Sequence, residues 1–66
     1  MSFKGARERA FLTQEEAAEK IGVKQVCVHA WEVGKWNPRA SILPKIASVY
    51  GCKIDDLFKP EKTHAG

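Results

Sequence analysis

The chain has 66 residues, 44% of them hydrophobic and 29% charged, with a net charge of +3. That length holds one domain with a marginal core, and two cysteines are too few for a disulfide framework or a zinc finger. The N-terminal MSFKGARERA has no apolar core of the kind a signal peptide needs, and no apolar run approaches bilayer-spanning length.

A cytoplasmic protein with free thiols is therefore expected, and Met1 has the form of a natural start, so a complete chain is expected too. The mild positive charge permits a nucleic-acid or anionic-membrane partner without demanding one. No four-residue run alternates between apolar and polar residues around a hairpin turn, so the chain is expected to be all-α.

A first helix is predicted over about Ser2 to Ala10, with Phe3, Ala6 and Ala10 on one side. Thr13-Gln14-Glu15-Glu16 reads as a capping box, with Thr13 as the cap and Glu16 reaching back to it. Ala17, Ala18 and Ile21 form the inner face of this second helix, and Gly22 stops it. The third helix runs from about Gln25 to Val33 and ends at Gly34, leaving Lys35-Trp36-Asn37-Pro38-Arg39 as a loop.

Pro44 must lie in the first turn of the fourth helix, because deeper its ring would clash with the carbonyl four residues back. Ser41 is then the natural N-cap. A short fifth helix, about Ile54 to Phe58, carries Asp55 and Asp56 near its positive end. Residues 1–58 form the domain, and 59–66 are expected to be a flexible tail.

The third helix, QVCVHAWEV, has two apolar sides. At about 100° per residue, Val28 and Trp31 define the inner face, and Val26, Ala30 and Val33 fall nearly opposite. A chain this short cannot readily wrap the whole helix, so the second face is expected to be offered outward.

Two helices joined through a short turn, with the small Ala18 where they cross, Gly22 in the turn, and Val28 and Trp31 as apolar anchors on the third helix, fit a helix-turn-helix. The matching residues are Leu12 to Glu16, Ala18, Ile21 to Val23, Val28, Trp31-Glu32, Gly34-Lys35, Pro38, Leu43, Ala47, Tyr50-Gly51 and Ile54 to Leu57. With them the sequence resembles the Cro/repressor-type (XRE) helix-turn-helix domains.

The resemblance implies a compact five-helix domain that binds double-stranded DNA as a transcriptional regulator. It would act as a repressor and as a homodimer, with the third helix in the major groove. It also implies base-facing roles for Lys24, Gln25, Val26, His29 and Ala30, and phosphate contacts from Gln14, Lys35, Trp36, Asn37 and Arg39. Arg7 and Glu32 match a family ion pair joining the first and third helices. The sequence departs from the pattern at Ala17, where leucine is usual, and at Lys24 and Lys53, where Ser or Thr usually caps a helix. Each missing cap is worth about 1 kcal/mol.

The alternative is an interaction module, antitoxin-like or an adaptor, that presents Val26, Ala30 and Val33 to a protein at i, i+4 and i+7. A separate regulatory protein partner is compatible with either reading. Cys27 and His29 are two apart on a helix and do not share a face, so no metal is expected. Cys27 reads as a small residue at the edge of the core. No cofactor and no catalysis are expected either. There is no phosphate-cradling glycine loop or candidate triad, and the adjacent Asp55 and Asp56 point in different directions.

Overall fold

A computed structural model describes residues 2–58. Among these residues the chain forms five α-helices: α1 (Phe3–Arg9), α2 (Gln14–Ile21), α3 (Gln25–Val33), α4 (Leu43–Tyr50) and α5 (Ile54–Leu57). The expected tail, 59–66, lies outside the described residues.

The capping box at α2 forms as the sequence implies. The Glu16 amide donates to the Thr13 hydroxyl at 3.0 Å, and the Thr13 amide donates to the Glu16 carboxylate at 2.9 Å. At α3 the N-cap residue, Lys24, makes no side-chain capping bond. At α5 half a box survives, because the Lys53 amide donates to the Asp56 carboxylate at 3.3 Å. Asp56 thus holds a specific backbone contact besides its favourable place near the helix dipole.

The start of α4 differs from expectation. A 3-10 turn over Ala40–Ile42 leads into Leu43, and Ser41 lies inside that turn instead of capping the helix. Pro44 still falls in the first turn of α4, where its missing N–H has no intrahelical acceptor to lose. The tighter turn satisfies the amides that a cap would otherwise take.

The core gathers Phe3 and Ala6 of α1, Ala17, Ala18 and Ile21 of α2, Val28 and Trp31 of α3, Ile46, Ala47 and Tyr50 of α4, and Leu57 of α5. Four of these are alanines, and they let short helices approach closely. Ala17 fits this pattern: where a leucine is usual, a fully buried methyl suffices. Phe3 also meets Phe58 edge-on, with ring centroids 5.4 Å apart, and Trp31 at 6.2 Å. Phe58 lies just past α5, where its backbone forms an isolated bridge with Ser2. The two ends of the described chain therefore meet.

Four helix ends share one closing motif, in which an amide five residues on bonds back to a carbonyl of the last turn. The bonds are Leu12 to Arg7 at 3.2 Å, Val23 to Ala18 at 2.9 Å, Lys35 to Ala30 at 2.9 Å and Cys52 to Ala47 at 3.0 Å. The motif needs one residue with positive φ. Glycine supplies it at Gly22, Gly34 and Gly51, but after α1 the residue is Phe11, with φ of 60°.

A bulky side chain in this region costs roughly 1 kcal/mol. Phe11 recovers none of that cost by burial, since it is 91% exposed. Phe11→Gly is therefore expected to raise Tm by about 4–8 °C, and calorimetry would check it. A lower Tm would show that the ring contributes to the folded state.

Candidate nucleic-acid interface

The outer face of the α2–α3 pair depends on one buried cluster. Arg7 of α1 reaches Glu32 of α3 with two nitrogens, Nε to Oε2 at 2.6 Å and Nη2 to Oε1 at 3.1 Å. Its third nitrogen donates to the Leu12 carbonyl at 2.8 Å. Gln14, the first residue of α2, donates its side-chain amide to Glu32 at 2.9 Å.

One carboxylate thus gathers α1, α2 and α3, and the guanidinium also fixes the loop between α1 and α2. Both side chains are nearly out of solvent, 11% exposed for Arg7 and 4% for Glu32. The hydrogen bond to Glu32 raises the Arg7 pKa despite the opposing cost of burial, so the guanidinium stays charged at any ordinary pH.

This geometry fixes what α3 presents. Lys24, Gln25, Val26 and His29 are exposed along it, and Val33 is exposed at its far end. Ala30 is a correction to the sequence reading. It is only 1% exposed, so no base edge can reach it. Its methyl stays close to the helix barrel, and the Lys35 amide returns to its carbonyl across the same turn. A helical wheel gives the direction of a side chain and not its depth.

Lys35, Trp36, Asn37 and Arg39 are all exposed in the loop that follows. Trp36 lines a cleft of 340 Å³ with Trp31, Cys27, buried Pro38 and Arg39. The loop is therefore seated against the body of the domain. Gln14 is only half exposed because its amide is turned to Glu32. Within its helix turn the Glu16 amide is taken by the Thr13 hydroxyl, which leaves the Gln14 and Glu15 amides without an intrahelical acceptor.

Cys27 and Cys52 are free, half-buried thiols. Burial, aided by Asp56, pushes the Cys52 pKa up and keeps that thiol protonated. Among the described residues no group of three His, Cys, Asp or Glu side chains could hold a metal ion. No helix among them is long and apolar enough to cross a membrane.

Sequence reasoning missed two residues here. Phe11 could have been noticed from the lack of Gly or Asn between Ala10 and Thr13, where the chain must turn. In the sequence Tyr50 stood out only as one of the residues matching the helix-turn-helix pattern. Its buried hydroxyl has no protein hydrogen-bond partner among the described residues. Burial first, and then the Glu32 carboxylate, push its pKa up to about 12, against the opposing pull of Arg7.

The fold and this outer face define a helix-turn-helix domain. Residues 3–57 match the helix-turn-helix family model, and the chain belongs to that family. Over 52 residues, 79% of this chain and 74% of the relative, it is 42% identical to an uncharacterized HTH-type transcriptional regulator of Archaeoglobus fulgidus. Over 47 residues, 71% of each chain, it is 45% identical to another uncharacterized HTH-type transcriptional regulator, from Methanocaldococcus jannaschii. It is 35% identical over 51 residues, 77% of this chain, to the HTH-type transcriptional activator BcrR of Enterococcus faecalis, of which the match covers 25%. No solved structure matches.

Two substitutions test the cluster. Arg7→Met would leave the Glu32 carboxylate buried with Gln14 as its remaining partner, and should cost about 3 kcal/mol in urea unfolding. A loss below about 0.5 kcal/mol would mean the pair behaves as an exposed one. Tyr50→Phe removes an unsatisfied hydroxyl and should add about 1 kcal/mol at neutral pH. A phenol whose folded pKa is raised contributes fully below its unfolded pKa, near 10. That contribution is lost as pH climbs towards the folded value of about 12. The wild type should therefore lose stability across that window relative to Tyr50→Phe, as followed by circular dichroism.

Proposed function

We propose that this chain is a sequence-specific double-stranded DNA-binding transcriptional regulator that works as a repressor by occupying an operator. The observation that carries the reading is the Arg7–Glu32–Gln14 cluster. It holds α3 rigidly to the domain while Gln25, Val26 and His29 stay open to solvent. A helix so held can enter the major groove as a unit.

In this reading Lys24, Gln25, Val26 and His29 face the bases. Gln25 suits adenine, with its paired acceptor and donor, and Val26 suits a thymine methyl. Lys35, Trp36, Asn37 and Arg39 meet the flanking backbone, joined by Gln14 and the first amides of α2. Ala30 has no part in base contact. The names of the relatives support a regulatory role.

A homodimer is proposed through the α4–α5 side. There Ile54 is exposed beside an open groove lined by Pro44, Ala47, Ser48 and Cys52. Its half-sites would lie about 34–36 Å apart, one turn of DNA.

The alternative, an apolar stripe on α3 that grips a protein, is weakened by the same geometry. It requires Val26, Ala30 and Val33 in line, and the burial of Ala30 breaks that line.

Selection from a random DNA pool, followed by a salt titration on the enriched site, tests the proposal. A two-fold symmetric site is expected. Affinity should fall about 10³–10⁵-fold between 50 and 200 mM salt, as for six to ten phosphate contacts. Gln25→Ala should cost about 1–3 kcal/mol and relax preference at one base pair. No enrichment above the starting pool would sink the reading. Placed over a promoter, the site should lower reporter output; raised output would make the chain an activator.

A further inference from the structure

At position 11 the fold accounts for the turn but not for the aromatic side chain. Three of the four matching helix ends use glycine, and the fourth sets an aromatic ring in the left-handed region with 91% of its surface in solvent. Backbone strain of this kind persists only where the surroundings enforce it, and it often marks a functional contact.

The surroundings do enforce it. Arg7 holds the next residue, Leu12, twice: its carbonyl accepts the Leu12 amide at 3.2 Å, and its Nη1 donates to the Leu12 carbonyl at 2.8 Å. Leu12 packs against the core, and Thr13 then caps α2. Because the same guanidinium grips Glu32, the loop that carries Phe11 is fixed relative to α3. Phe11 precedes Gln14, the first residue at the positive end of α2, by three positions in the chain.

We infer that Phe11 is a DNA-contacting residue that lays its ring against a deoxyribose of the backbone, next to the phosphate met by the first turn of α2. The inference rests on the proposed DNA-binding function and extends it outward from the bases that α3 reads. An aromatic face suits the apolar C–H surface of a sugar. Such a contact carries no charge and releases no counterion, so it adds affinity without salt dependence. It is also indifferent to base identity, so it fixes register. A ring held in place by its backbone has little freedom left to lose on binding.

The test compares wild type, Phe11→Gly and Phe11→Tyr on the selected DNA site. Phe11→Gly should bind about tenfold more weakly with an unchanged salt slope, although the folded domain is no less stable. Phe11→Tyr should bind like wild type. Hydroxyl-radical footprinting should show protected sugars at the outer edge of each half-site, exposed again only in Phe11→Gly.

Equal affinity of Phe11→Gly and wild type would overturn the inference and leave the DNA-binding reading intact. A shallower salt slope in Phe11→Gly would also overturn it, since a phosphate contact would then have been lost. Weaker self-association of free Phe11→Gly in sedimentation would overturn it too, by placing the ring against a second copy of the chain. Failure of the wild type to bind any DNA would remove the parent function and this inference together.

Discussion

One carboxylate, that of Glu32, orders the molecule. It accepts from Arg7 twice and from Gln14 once, and those three residues belong to three different helices. Removing a carboxylate from water is costly unless its lone pairs are satisfied. Here a bidentate guanidinium and an amide satisfy it, in geometry that a slightly rotated α3 could not keep. The apolar core sets how closely the helices pack, whereas the charged cluster sets the angle at which α3 is held. Under the proposed function, that division would keep the side chains of α3 in register with the bases.

The same cluster explains why neighbouring features look the way they do. Tyr50 keeps a buried hydroxyl beside the charge pair, and its raised pKa reflects that dry setting. Leu12 is held by Arg7 on both its backbone groups, which forces the turn at Phe11. Gln14 has its side-chain amide turned inward, where it braces α3. Several structural roles thus fall to the same few residues, as a small domain requires.

Much of this was legible in the sequence because it is written in local chemistry. Thr13 with Glu16, the glycines after α2, α3 and α4, and the place of Pro44 each fix a helix boundary through backbone rules that act within a few residues. The pairing of Arg7 with Glu32 was reached only through family resemblance, since the two are 25 residues apart. The structure alone supplied depth and competition. Ala30 points outward on a wheel yet lies buried, and Ser41 lost its capping role to a 3-10 turn that served the same amides. Phe11 went unread because its conformation is set by Arg7 reaching past it, a contact invisible to local propensity.

The longest helix, α3, has nine residues, and α5 has four. Helices this short do not persist alone in water, so each exists only while its neighbours hold it. The domain then has little room for partial order: either all the helices are present and the recognition face is assembled, or none is. Any binding partner of that face draws on the folded population alone and enlarges it by mass action. Occupancy and survival become linked quantities. Under the proposed function, a molecule on DNA would be withheld from proteases that cut the opened chain, and a free one would not. The lifetime of the free pool would then help to set how fast a bound site is cleared.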